Sequence, residues 1–478
     1  MSASLLGAWS AVVKAEWRLL LRNRVAVAGV ALMVLLTLAA ALVSHEQTRQ
    51  TRDERAHFQG AADRQWADQP DRHPHRVVHY GHYIFRPLAP LASFDAGVSA
   101  ITGNTLYLEG HRQNSANFSD ASQASILLRF GQLTPAYVLQ VLSPLLVIFL
   151  AFGTVARERE EGQLRLLMGN GMRGIVLVWG KLAAHGAIAL LLAAPAFVAL
   201  GLVGVMHPEL GWRVLGMTAG YSMYLLLWVL VTVLVSTAVA RSRDALLVLV
   251  GCWIVTVIFL PRIMPDVASA SIVQSTRIET EVAIHKALAK LGDSHNPDDP
   301  HFRQFKEKTL KAYGVARVED LPVNYGGLLM AEGERLTSEL FEQTMLADYK
   351  RQSGQSAIVH GAAFASPVIA LRRLSASLAN TDFDGHSRFL LEGERYRFAL
   401  IQALNRLHTN EVRYHNDKDQ RITKDHWRSM PRFDLKPAPL ASVTARHVWP
   451  AIAVLAGWLV LLSLVATLLG ARLERSAK

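Results

Sequence analysis

The sequence predicts a mostly α-helical membrane protein with six transmembrane helices and two large insertions outside the membrane, the larger one mainly helical. Three observations lead there. Of the 478 residues, 51% are hydrophobic and 19% charged, too apolar for an ordinary soluble enzyme and too charged for a compact all-membrane bundle. The apolar residues come in blocks of roughly 20, the length an α-helix needs to cross the hydrocarbon core. Lys and Arg crowd the short segments beside those blocks, where they set orientation. The net charge of +11 is therefore read as a topology signal, and no nucleic acid is expected as a partner.

Residues 1–24 set Leu5, Leu6, Trp9, Val12, Val13, Trp17, Leu20 and Leu21 against Lys14, Arg18, Arg22 and Arg24. That pattern predicts an amphipathic helix in the cytoplasmic interface. The run 25–43 is the first transmembrane helix. It exceeds the apolar core of a signal peptide, and its flank is too long and amphipathic for one. Residues 45–134 are polar and form the first insertion, in which 96–108 suggests a strand or loop. Residues 137–260 hold spans two to five: 137–155, 182–206 with a kink at Pro195, 214–240, and 245–260, ended by Pro261 and Pro265.

Residues 266–447 form the second insertion. Mixed apolar periodicity predicts helices over 276–291, 323–352, 368–379 and 387–407, with 293–300 as a loop and Thr381-Asp382-Phe383-Asp384 as a break before a helix start. The last span is 449–469, followed by the tail 470–478. Six spans put the basic clusters in 1–24, 157–173, 241–243 and 470–478 on one side. The positive-inside rule makes that side the cytoplasm, with both termini in it and both insertions across the membrane.

The segment between spans two and three carries the functional signal. Arg157, Glu158, Arg159, Glu160 and Glu161 form a dense charge run. Leu164, Leu167 and Met168 follow at helical spacing, and Gly169-Asn170-Gly171 stops the pattern. A short amphipathic helix over 157–168 is predicted, placed where a cytosolic protein can push it. The plainer account is a basic loop that obeys the positive-inside rule, but that rule does not require the glutamates.

The run Arg157-Glu158-Arg159-Glu160-Glu161-Gly162-Gln163-Leu164-Arg165-Leu166-Leu167, then Arg173 and Gly180-Lys181, resembles the coupling-helix segment of ABC-2-type transporter permeases. Gln163 is a departure, since such permeases often have Thr there. Other blocks are similar to DUF3526-type permeases, which carry a large extracytoplasmic domain before the last span. These are Pro322-Val323-Asn324-Tyr325-Gly326-Gly327, Ser366 to Ser375, Thr381-Asp382-Phe383, Glu394-x-Tyr396-Arg397, His79 to Pro87, and Leu108 to Gln113.

This resemblance implies an exporter-type fold and a non-catalytic permease subunit in a bacterial cytoplasmic (inner) membrane. It implies a cytosolic ABC ATPase dimer, carrying ATP and Mg, that docks on Arg157, Glu158, Arg159, Glu160, Glu161, Gly162, Leu164, Leu167 and Met168. It also implies a second permease subunit, identical or paralogous. The insertions would gate the exit or meet an extracytoplasmic partner protein. The alternative is an ATP-driven mechanotransmitter or scaffold that moves no solute.

The chain offers little chemistry of its own. Gly169-Asn-Gly171-Met-Arg-Gly174 satisfies G-x-G-x-x-G but follows a membrane helix instead of a strand, and Gly180-Lys181-Leu182 lacks the P-loop spacing and its Ser or Thr. No cofactor is therefore expected on this chain. The single cysteine, Cys252, permits no disulfide within the chain. Ionisable residues are scarce in the spans, with Lys181 and His185 near one end of the third, which argues against an ion-coupled transporter. His73, His75, His79 and His82 are candidate metal ligands, with His111 further on. Asp293, His295, Asp298, Asp299 and His301 are a sparser group. A polar surface loop explains both groups equally simply, and no metal is assigned.

Overall fold

The structure, a computed structural model, describes residues 3–112, 133–292, 296 and 298–476. Among the described residues, six helices are long and apolar enough to cross a membrane: Arg24–Ala67, Pro135–Glu160, Gly174–Met206, Pro208–Ala238, Ser242–Ser271 and Leu440–Glu474. Helix α1 (Ala3–Arg22) precedes them and packs on the third span. Asn23 separates α1 from α2 (Arg24–Ala67), and its side chain caps α2 by accepting from the N–H groups of Val25 and Ala26.

Helix α2 runs far beyond the predicted 25–43. Its 44 residues continue into the first insertion expected over 45–134. Residues 45–67 contain no Pro and are rich in Gln, Arg, Glu and Ala, so nothing breaks the helix where it leaves the apolar layer. At 1.5 Å per residue α2 is about 66 Å long. Beyond it lie α3 (Pro74–Val78) and an antiparallel pair, β1 (His82–Phe85) with β2 (Thr105–Leu108), in the register His82↔Leu108.

The second span enters through a π-turn (Val138–Leu142) and continues as α4 (Ser143–Ala151), with Pro144 in its first turn, where the missing N–H does little harm. The elbow consists of α5 (Ala156–Glu160) and α6 (Gln163–Gly169). Next come α7 (Gly174–Met206) and α8 (Gly211–Ala238). The fifth span does not stop at Pro261. It runs from α9 (Ser242–Trp253) through a π-turn (Ile254–Phe259) into α10 (Leu260–Ser271). The π-turn falls just before Pro261, where the i→i−4 ladder is already interrupted, so that proline falls at a helix start.

The second insertion contains α11 (Arg277–Leu291), α12 (Pro300–Tyr313), α13 (Tyr325–Gly361), α14 (Pro367–Ala379) and α15 (Phe383–Glu411). Helix α12 was not anticipated. Asp382 caps α15 by accepting from Gly385 N–H, as the Thr381–Asp384 break suggests. Helix α14 lies elsewhere than expected: it leaves the helical domain and packs into the apolar core of the spans through Leu371, Leu374 and Leu378. Gly216 and Gly220 on α8 make room for it, since a Cβ on Gly220 would lie 2.2 Å from Leu374 Cδ2. The final span is α16 (Trp449–Ser476).

The two insertions share their cores. Trp66, Val77 and Val78 pack with Leu400, Leu404 and Trp427, and Ile84, Leu106 and Leu108 pack with Phe389. The first insertion thus folds onto the second. In the bundle, the backbones of α7 and α16 touch. A Cβ on Gly174 would stand 2.2 Å from the Gly470 carbonyl oxygen, and backbone cannot yield as a side-chain tip does. Gly174→Val is expected to cost about 1–3 kcal/mol through overpacking. Thermal unfolding of the detergent-solubilised chain measures it, and an unchanged midpoint would contradict the close crossing.

Candidate functional site

The elbow between spans two and three differs from the single helix expected over 157–168. Gly162 takes φ = 76° and divides it into α5 and α6. A Cβ at Gly162 would meet nothing within 4 Å, so glycine is required there by backbone conformation and not by space.

Helix α5 is anchored. Ser236 Oγ accepts from the N–H groups of Val155 (3.0 Å) and Ala156 (3.1 Å). Arg159 donates to the carbonyls of Thr237 (2.7 Å) and Val239 at the end of α8. Glu160 accepts from the N–H (3.0 Å) and hydroxyl (2.7 Å) of Ser242, where the fifth span begins. Glu158 turns inward and accepts from Lys181 Nζ of α7 at 2.8 Å. Lys181 also pairs with Glu16 of α1, and His185 lies 3.3 Å from the second Glu16 oxygen. Burial alone would raise the Glu16 carboxyl. Hydrogen bonds from His185 and Lys181, together with the Lys181 charge, outweigh burial and hold it at about 2.

Helix α6 has two faces. Leu164 is buried, and Leu167 and Met168 pack against the bundle. Arg157, Glu161, Gln163, Arg165 and Leu166 are exposed, Leu166 at 69%. The expected docking set therefore divides. Glu158, Arg159, Leu164, Leu167 and Met168 hold the elbow to the spans. Arg157, Glu161 and Gly162 stay at the surface, joined by Arg165 and Leu166, which lie outside the expected docking set, while Glu160 is exposed and also ties the elbow to Ser242. Glu16 was also missed, although it is the only acid within residues 1–24.

At the far end of α2, the four candidate histidines separate. His75 and His79, one helical turn apart, bring their Nε2 atoms to 3.4 Å, and His111 joins them; one ligand atom from each of the three lies within 4.8 Å of the others. His73 instead caps α3, its Nδ1 accepting from His75 N–H at 3.2 Å. It belongs with His408 and Asp417, which are 2.7 Å apart. His82 pairs with Asp63 at 3.2 Å and packs edge-on against Trp66. Burial, reinforced by His79 and His111, pushes His75 down to about 4 and keeps its ring neutral at pH 7. In the sparser group, Asp293 and His295 lie outside the described residues, Asp299 caps α12, and His301 bonds Glu332 at 3.1 Å.

Beneath His111 is a buried ionic cluster. Arg397 donates to Glu334 (2.5 Å), Glu394 (2.6 Å) and Ser338 (2.6 Å). Burial alone would raise Glu334, but the His111 hydrogen bond and the Arg397 charge bring it down to about 2. A cleft of about 690 Å³, lined in part by His360, Arg372, Arg373, Asp384, Arg446 and His447, opens where α13 and α14 meet the spans.

These features describe a multi-pass helical membrane protein whose spans are tied together at one end by a buried, ion-paired elbow and carry a helical domain at the other. The chain belongs to the ABC-2 family transporter proteins, whose family model matches residues 10–291, more than half of it. A domain of unknown function (DUF3526) matches residues 277–436. Searches of curated proteins and of solved structures returned no match. The chain is thus a membrane permease subunit of the ABC-transporter class, a transport component.

Proposed function

We propose that this permease is an exporter subunit driven by a separate cytosolic ATPase that docks on the 157–168 elbow. The observation that supports it is that the elbow is bonded to three spans on one side and exposed on the other. Arg157, Glu161, Arg165 and Leu166 are presented outward. Behind them, α5 is bonded to α7 through Lys181, to the end of α8 through Arg159 and to the start of α9 through Glu160. A push on the outer face therefore reaches spans three, four and five as one rigid displacement. The elbow side is the cytoplasmic one, with both termini, and the domain at the other end of α2 is extracytoplasmic. Two permease subunits, identical or paralogous, flank the pathway. ATP and Mg belong to the ATPase.

The test is co-expression with the cognate ABC ATPase and purification of the complex. Leu166→Glu is expected to abolish co-purification or to lower ATP turnover by about tenfold or more, because it places a charge in a docking contact. Gly162→Pro, which rigidifies the elbow and forces φ negative, is expected to leave the complex intact and uncouple its turnover. Turnover and assembly indifferent to both substitutions would remove the docking reading.

A second reading has its own support. Helix α2 passes unbroken from the membrane into the distal core at Trp66, so it suits a lever that transmits work to an extracytoplasmic partner without moving a solute. A helix-breaking Pro at Gln50 separates the two. Pure export tolerates the break, whereas mechanotransmission loses its distal response.

A further inference from the structure

We propose that His75, His79 and His111 form a binding site for a late first-row transition-metal ion, of the Zn(II) or Cu(II) kind, at the seam between the two insertions. Ligand spacing comes first. The i,i+4 relation on and just beyond α3 aims both rings the same way, with Nε2 atoms 3.4 Å apart. Nitrogens bound to one tetrahedral ion at about 2.0–2.1 Å stand about 3.3–3.4 Å from each other. His111 arrives from the turn after β2 and offers the third nitrogen within 4.8 Å. Its φ of 63° is unusual for a residue other than Gly, and it is kept by a bond from its own N–H to Glu334 at 3.2 Å.

The support behind the ligands is also in place. Glu334, fully buried, lies 3.3 Å from His111 Nδ1. A carboxylate on that nitrogen orients the ring and leaves Nε2 as the ligating atom, the arrangement found behind metal-bound histidines. Arg397 and Ser338 fix Glu334 in turn. His75 Nδ1 is buried without a hydrogen-bond partner, so its ring is positioned by packing with Nε2 toward the site. The neighbours do not compete. His73 Nδ1 accepts from His75 N–H, so its Nε2 carries the proton and has no lone pair to give. His408 is bonded to Asp417 through Nε2 and gathers with His73 and Asp417 instead of with the three ligands, and His82 is bonded to Asp63 outside both groups. Three imidazoles without thiolate or thioether suit Zn(II) and Cu(II), and leave a fourth position for water or an incoming group. Because the ligands belong to the first insertion and Glu334 to the second, the ion stiffens the joint between them.

The experiment uses the full chain in detergent, purified without a histidine tag, stripped with chelator and titrated with Zn(II) against a chromophoric competitor. Cu(II) is titrated in parallel by electron paramagnetic resonance. One equivalent of metal is expected, together with a Zn(II)-dependent rise in melting temperature. His79→Gln alters an exposed side chain and should fold normally. It is expected to weaken binding by about tenfold or more and to abolish the melting shift. His82→Gln is expected to change neither. Absence of stoichiometric uptake of either ion overturns the site, as does wild-type affinity in His79→Gln or an equal loss in His82→Gln.

Discussion

Lys181→Met is expected to lower the stability of the detergent-solubilised protein by about 3–5 kcal/mol, the usual cost of removing one partner from a buried ion pair. Lys181 is 1% exposed and is shared by Glu16 and Glu158. Methionine fills the space but leaves two carboxylates facing each other without a cation. The effect should appear as a lowered melting temperature and, in the ATPase complex, as lost coupling, because α1, α5 and α7 meet at that amine. The triple variant Glu16→Gln, Lys181→Met, Glu158→Gln removes the stranded charges and is expected to regain much of the stability. A Lys181→Met protein that melts like wild type would refute the buried network. The pH dependence follows from Glu16. Its carboxyl sits at about 2 against an ordinary 4.5, a folded value below the unfolded one. The stability it contributes is therefore complete above about 4.5 and is lost as pH falls toward 2.

Arg397→Met is expected to be as damaging at the opposite end, by about 3–5 kcal/mol, because Glu334 and Glu394 are then buried without their cation. Arg397→Lys should recover only part of this. The guanidinium reaches Glu334, Glu394 and Ser338 from several nitrogens at once, and a single ammonium lacks that fork. The damage should localise. Glu334 also holds the His111 N–H, so hydrogen exchange should rise across 105–112 as well as along α13 and α15. Unchanged exchange over 105–112 would mean that the cluster does not brace the first insertion.

The number and order of the spans were legible because the bilayer imposes a local requirement. A stretch of about 20 apolar residues can be counted without knowing its neighbours. The elbow was half legible. Its charges and its Leu164, Leu167 and Met168 stripe were visible, but the inward turn of Glu158 depends on Lys181, itself paired with Glu16, and these lie 23 and 142 residues from Glu158 in the chain. The histidine spacing was equally visible and equally incomplete. The i,i+4 pair His75 and His79 is a local fact, whereas the exclusion of His73 and His82 rests on a capping bond and on Asp63, and the inclusion of His111 rests on Glu334.

The sequence by itself determined a six-span permease of the ABC-2 type with two insertions, since hydropathy, basic flanks and short motifs are read one stretch at a time. Only the tertiary structure decided that α2 continues into the distal domain, that the first insertion is built onto the second, and that α14 returns to the spans over Gly216 and Gly220. Each of these depends on which surfaces bury each other across hundreds of residues. A segment such as 367–379 is apolar enough for either place, and the groove left by two glycines on α8 selects the one it takes.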